Sequence, residues 1–281
     1  VADVGVLVVS SPTQLEPPEH VDMIHEVVES ALAFPGVGAE TLVAFDGVRI
    51  EQTALTHVYD EVRRRIAWDF SLGLSLPSVT IRHPNRLPLF LRGHQHQART
   101  ILAGLQVMRS EFVLFLEHDT PLLPAAIDFD ACARALVTRE LDVIRFLHES
   151  RVLDVHRHLL VDEGEALGPL FWRTAQWSQR PHLARRQWYM DVLGTYTTPD
   201  SRCFVEDVMH GVCDYFWREE GERGWERHKL AIYADPEPTM QRSTHLDARR
   251  TGQPSFAGSE VFDYPGETPP GAPRATKERV D

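Results

Sequence analysis

The sequence predicts an α/β fold in which a mostly parallel central sheet is flanked by helices. Three observations carry the prediction. Val4 to Ser10, VGVLVVS, is an apolar run closed by a Ser-Ser-Pro loop; Val21 to Phe34 then shows the i, i+3, i+4 apolar repeat of an amphipathic helix; and Thr41 to Phe45 is a second apolar run closed by Asp46-Gly47. Strand, helix, strand in that order is the βαβ signature of a parallel sheet.

The later elements continue the alternation. Apolar periodicity predicts a helix from about Gln52 to Trp68, a short third strand at Ser78 to Arg82 and a further helix over Gln95 to Met108. Phe112 to Leu116 is an unbroken apolar run and reads as a buried central strand. Ile127 to Thr138 predicts a helix and Asp142 to Leu147 a strand, after which Leu159 to Val161 and Leu170 to Trp172 flank a Gly-containing connection and predict a hairpin. Pro181 suits the first turn of a helix over His182 to Val192. Glu206 to Arg218 gives another helical pattern, and Leu230 to Tyr233 is the last strand. We expect one domain over 1–251, with halves meeting at about 123. The Gly- and Pro-rich segment 252–281 is expected to be an extended or disordered tail.

Composition narrows the function classes. With 41 acidic against 29 basic residues the net charge is -12, which repels nucleic acid at long range and counts against it as a partner. Cys132, Cys203 and Cys213 have neither an even count nor CxxC spacing, so no disulfide framework or zinc site is expected. No run approaches the length of a membrane span, and Val1 to Pro12 lacks the basic start and long apolar core of a signal peptide, so a cytoplasmic protein is expected.

The central strand runs straight into Glu117, His118 and Asp119, then a Thr-Pro turn at Thr120 and Pro121. Two carboxylates one residue apart are thereby placed at the carboxyl edge of the sheet, where open α/β folds bind ligands. Hard divalent cations are commonly held by one or two carboxylates plus substrate phosphates, so a phosphate-bearing ligand is implied. Two acids solvating a strand end would give the same pattern.

Taken as an ordered set, the motifs carry a resemblance. The strand with SSP, the strand with Asp46-Gly47, the helical segment GHQHQARTILAGL, the strand with EHD and the later FVED of Phe204 to Asp207 resemble GT-A (Rossmann-like) glycosyltransferases of the family-2 type. HQ-A ahead of the acidic strand, EHDTPL and QWSQRPHLA are similar to a branch that includes the amino-terminal glycosyltransferase domain of a large chlorella-virus enzyme. The similarity spans roughly Val4 to Arg218. It implies a nucleotide-binding half up to about 123 and a C-terminal acceptor-side lobe over about 124–251.

The resemblance also assigns roles. Glu117-His118-Asp119 takes the place of the family's DxD motif, making Asp119 the firmer ligand of Mn²⁺ or Mg²⁺ and Glu117 a ligand or a donor contact. Asp207, after Glu206, matches the catalytic base of inverting members, which must take the proton of an acceptor hydroxyl. First-turn acids also simply stabilise a helix dipole. Ser10, Ser11 and Asp46 are expected nucleoside contacts, or ordinary turn residues. Arg99 is a candidate for the diphosphate, or a solvated helix residue. Trp177, Ser178, Gln179, Arg180 and His182, with Glu206, are assigned to acceptor or sugar recognition, an indole among donors being suited to a sugar ring; the same aromatics would also cap a core. His245 is a further candidate for the metal or diphosphate.

The implied activity is metal-dependent, inverting transfer of a hexosyl or pentosyl group from a nucleotide diphosphate donor, UDP-sugar first, to a hydroxyl on a glycan, a protein or a small molecule. Two rivals remain open at this point. One is a retaining transferase or sugar nucleotidyltransferase on a similar scaffold. The other is a catalytically silent module that binds sugar or nucleotide.

Overall fold

The computed structural model describes residues 3–72, 85–123, 127–198, 203–234 and 241–246. The expected strand at Ser78 to Arg82 and the tail from Gly252 lie outside these residues. Strand β1 (Val4–Ser10), helix α1 (Pro17–Leu32) and strand β2 (Val37–Phe45) form the first βαβ unit. A 3₁₀ turn over Ile50–Leu55 leads into α2 (Thr56–Leu72), then β3 (Arg86–Phe90), α3 (His96–Val107) and β4 (Phe112–Glu117). The rest comprises α4 (Phe129–Val137), β5 (Val143–Arg145), β6 (Phe171–Arg173), β7 (His182–Arg185), α5 (Arg186–Tyr196), α6 (Val205–Glu220), α7 (Glu222–Trp225) and β8 (Leu230–Tyr233).

The eight strands among the described residues join one sheet in the order β3-β2-β1-β4-β7-β5-β8-β6. Strands β3, β2, β1 and β4 are parallel, as are β5 and β8, while β7 is antiparallel to β4 and β5 and β6 is antiparallel to β8. Every residue of β1 is buried because both faces are covered, which is how a parallel strand comes to read as a continuous apolar run. Its alternation sorts the core: Val4, Val6 and Val8 pack with Ile24 and Val27 of α1 and Val62 of α2, whereas Leu7 and Val9 pack with Ile101 and Leu105 of α3. Each such fully buried aliphatic side chain contributes about 1.5–3 kcal/mol. Among the described residues no helix is long and apolar enough to cross a membrane.

Two expectations need correction. His182 to Val192 is not one helix: His182–Arg185 is strand β7, inserted between β4 and β5, and α5 begins only at Arg186. Pro181 therefore precedes a strand, and its carbonyl accepts from Phe146 N at 2.8 Å. The residues Leu159 to Val161 close a 3₁₀ turn rather than form a hairpin strand; Leu160 makes a lone antiparallel bridge to Thr174, and β6 takes β8 as its ladder partner.

Candidate active site

A cleft of about 290 Å³ opens at the carboxyl ends of β1, β2 and β4. Of the residues expected there, Ser11, Asp46, Glu117 and Asp119 line it. Arg49, Gln52, His94, His96, Gln97, His118 and Phe204 line it too, and the sequence reading assigned none of them a role.

Asp46 sits where expected but does different work. Its Oδ1 accepts from Gly47 N at 2.7 Å and Gln95 N at 2.6 Å, its Oδ2 accepts from His96 N at 3.0 Å, and His94 Nδ1 stands 2.8 Å from the same oxygen. The carboxylate is buried and occupied in fixing the start of α3. Gly47 makes this possible, because a Cβ there would overlap the backbone of Gly93 and force the two loops apart. The turn holds His96 at a φ of 65°, a left-handed conformation that non-glycine residues adopt at a cost. His96 is thereby set edge-on to Phe204, with ring centroids 4.7 Å apart, and 3.4 Å from Arg49 Nη2. The Asp46 carboxylate is thus committed to backbone N–H groups, and Arg49, His94 and His96 are the neighbouring polar side chains of the cleft lining.

Ser10 is also corrected. It is fully buried, with Oγ 3.2 Å from His20 Nε2, and its carbonyl accepts from Tyr59 Oη at 2.8 Å. Only Ser11 faces the cleft.

The acidic turn is built by Thr120, whose Oγ1 accepts from Glu117 N at 3.0 Å and donates to Glu117 O at 3.2 Å. Gln97 Nε2 donates to Glu117 Oε1 at 2.6 Å while Gln97 Oε1 accepts from Val205 N at 3.1 Å, so one amide ties the acidic strand to the first turn of α6. Burial pushes the Glu117 carboxyl up to about 8, reinforced by the like charges of Asp119 and then Glu206 and opposed by the Gln97 bond. His245, on the segment crossing the ends of β4 and β5, brings Nε2 to 3.2 Å from Asp119 Oδ2. Among the described residues no group of three or more His, Cys, Asp or Glu side chains forms a ready-made metal cage. The donor set nevertheless fits a hard cation that takes its remaining ligands from a substrate: a carboxylate enclosed beside like charges is relieved by a cation, and hard cations use few protein oxygens with phosphates.

The acids that open α6 differ. Glu206 Oε2 accepts from Gln179 N at 3.3 Å, and its charge is felt by Glu117, Arg145, Arg180 and His210. Asp207 is exposed, three residues after the cleft-lining Phe204 and so on the same side of the helix.

The expected recognition segment divides. Ser178, Gln179 and Arg180 lie at the entry to β7, Arg180 pairing with Glu149. Trp177 and His182 do not offer a platform, being 1% and 0% exposed. Trp177 stacks on Trp188 at 5.9 Å, and the His182 ring stacks on Phe115 at 4.8 Å. An aromatic enclosed on this scale is core. Arg99 is likewise displaced: it lines a separate depression with Arg92, Gln95 and Gln106, away from the acidic turn. The HQHQ run from His94 to Gln97 was the sequence signal for three of the missed residues, since a polar run at a helix start supplies His94 and His96 to the cleft lining and Gln97 to the Glu117 clamp.

No protein-family model and no curated protein matches the chain. Among solved structures it is similar to residues 1–349 of S. aureus TarS, at 14% identity over 89% of this chain and 62% of that one, with a TM-score of 0.46. It is also similar to mannosyltransferase PcManGT from Pyrobaculum calidifontis in complex with GDP-Man and Mn²⁺, at 16% identity over 84% of this chain and 57% of that one, with a TM-score of 0.47. For TarS 1–349 in complex with UDP-GlcNAc the values are 12%, 86%, 58% and 0.45. The chain thus spans 57–62% of the length of these structures. At such identities they carry no residue roles across.

Proposed function

We propose that the chain is a metal-dependent inverting glycosyltransferase of GT-A type that uses a nucleotide diphosphate sugar, a UDP-sugar first. The observation that carries this reading is Glu117 and Asp119 together in the cleft lining, with the half-buried Glu117 carboxyl crowded by like charge where a diphosphate and its cation would lie. Arg49, Gln52, His94 and His96 suit a nucleoside, and Glu206 and Asp207, in the first turn of α6 just past the cleft-lining Phe204, suit an acceptor. Asp119, with Glu117, would hold Mn²⁺ or Mg²⁺, which when bound supplies Lewis-acid stabilisation of the departing diphosphate. Glu206, anchored on Gln179 N, positions the first turn of α6. Asp207, open to solvent on the Phe204 side, takes the proton of the acceptor hydroxyl as its oxygen bonds to the anomeric carbon and the bond to the diphosphate breaks on the opposite face.

A thermal-shift panel of nucleotide sugars with and without Mn²⁺, followed by nucleoside diphosphate release and NMR of the product, tests the reading. Metal-dependent stabilisation by a nucleotide sugar is expected, since a ligand binding only the folded state stabilises it by mass action. The product should be inverted. Asp119→Asn should lose the Mn²⁺ dependence and keep the fold. Donor binding without release of diphosphate would leave a silent binding module, release of pyrophosphate a nucleotidyltransferase, and a retained anomer would sink the single displacement.

A further inference from the structure

Across the sheet from the acidic turn, on the β5 side, lies a cluster of buried polar side chains, termed the chamber, whose Arg145 none of the roles above uses. It forms where β5 ends and the chain enters β7. Arg145, in register with His182 and through it with Phe115, stands about 10 Å across the sheet from β4, given a strand spacing near 4.8 Å. It is 5% exposed, and among the described residues its hydrogen bonds run to the carbonyl and side-chain oxygens of Gln176 at 3.4 and 3.2 Å. Its buried Nε has no partner. Among the described residues no carboxylate forms an ion pair with it; Glu206 acts on it only through its field.

The neighbouring groups repeat the pattern. Gln179 is 6% exposed and its amide faces the Tyr189 hydroxyl, with no well-formed hydrogen bond to it among the described residues. Arg180 meets Glu149, yet burial and the charge of Arg145 hold its guanidinium down to about 9. Burial holds the imidazoles of His148 and His210 below their ordinary range; the charges of Arg180 and Arg145 add to the effect at His148, while at His210 the charge of Glu206 opposes it. A buried guanidinium without an ion-paired carboxylate is a costly arrangement unless an acceptor-rich partner completes it. A planar donor fork is matched to carboxylate and phosphate.

We propose that this chamber binds an oxyanion, a carboxylate or phosphate carried by the sugar substrate, with Arg145 as its principal partner and Arg180 and Gln179 beside it. The anion itself is inferred from the chamber alone; that it belongs to a sugar rests on the glycosyltransferase reading. The order across the sheet, nucleoside end at β1 and β2, acids at β4 and chamber at β5, gives two sources for the anion. One is an acidic sugar being transferred. The other is an acidic acceptor.

Binding measured by calorimetry on the full chain, without turnover, decides the matter. Inorganic phosphate and glucuronate should bind at least tenfold more tightly than methyl glucoside. Arg145→Met, similar in length and free of charge, should abolish that preference, and Arg180→Gln should weaken it if the first variant fails to fold. UDP-glucuronate preferred over UDP-glucose by the wild type but not by the variant would place the anion on the donor sugar. A sugar phosphate that binds only after UDP-glucose and Mn²⁺ have filled the cleft would place it on the acceptor. Equal affinity for charged and neutral probes, unchanged by Arg145→Met, would overturn the proposal and leave the chamber to water. Anion binding with no glycosyl transfer for any donor would retain the chamber and remove the transferase reading instead.

Discussion

The two ends of the proposed site, nucleoside and acceptor, are built in opposite ways. The nucleoside end is assembled from short consecutive segments, Ser11 after β1, the Asp46 turn after β2 and the 94–97 run before α3, and its one buried carboxylate, Asp46, is saturated by backbone N–H groups. The acceptor end gathers Arg145, Gln179, Arg180 and Glu206 from three separate stretches, and leaves buried donors without partners. A satisfied network is finished before any ligand arrives, whereas an unsatisfied one has reserved its hydrogen bonds. The Asp46 turn is thus a completed frame, with His96 Nδ1 the polar atom beside it still to be matched, whereas the Arg145 cluster keeps more of its hydrogen-bonding capacity in reserve.

The largest test of this contrast is Asp207→Asn. Turnover should fall by roughly 10²- to 10⁴-fold, the usual effect of losing a general base, with donor affinity close to wild type because the frame is untouched. Near-normal transfer would move the proton to Glu206 or to a retaining route.

Next in size is Trp177→Ala. A fully enclosed indole leaves a cavity that should lower stability by about 3–5 kcal/mol, read as a fall in melting temperature with no selective rise in acceptor KM. A selective KM effect at unchanged stability would show the indole to be a sugar platform after all, and the acceptor end to be less enclosed than described.

Acid lability should follow the same division. Burial holds His20, beneath the nucleoside end, down to about 2, and His148 and His182, at the acceptor end, to about 3 and 4; His228 lies at about 4. Below pH 6.5 the unfolded chain binds protons that the folded chain refuses, so these groups cost nothing above that pH and remove stability as pH falls toward their folded values. Each contributes a slope of up to about 1.4 kcal/mol per pH unit. Glu117, raised to about 8, runs the other way, because between pH 8 and 4.5 the folded chain holds a proton that the unfolded chain lacks. Chemical denaturation from pH 7 to 5 should show a steep net loss. His148→Asn should flatten the curve; an unchanged curve would mean the acceptor end is already wet.

The smallest effect should be Arg99→Ala, expected to alter donor affinity by less than about twofold, since surface changes away from a site are usually worth under 0.5 kcal/mol. A tenfold loss by calorimetry would bring Arg99 back to the diphosphate.

The frame was the more legible half because its signals are local. The acidic turn, the Asp46-Gly47 turn and the apolar strands each occupy a few consecutive residues. What could not be read was anything set by distant partners. Asp46 was found, but its role depends on N–H groups 49 and 50 residues further on. Arg145 looks like a lone cation at the end of an apolar run until β7 is laid beside it. HLARRQWY carries a helical pattern throughout, and only insertion between β4 and β5 makes its first four residues extended, because a strand there gains ladder partners on both sides.

The placement of β7 also bears on how the chain is made. Strand β4, apolar along nearly its whole length, pairs with β1 on one side and with β7 on the other, and β7 lies far downstream. At the usual 5–20 residues per second of synthesis, that interval of ~70 residues leaves β4 as an open edge for roughly 4–14 s on the ribosome. An unpaired apolar edge of this kind templates aggregation. Fragments that stop short of β7 should therefore be sticky and not merely inactive, and the cell's chaperones would meet this protein first at the strand that ends in its own acidic turn.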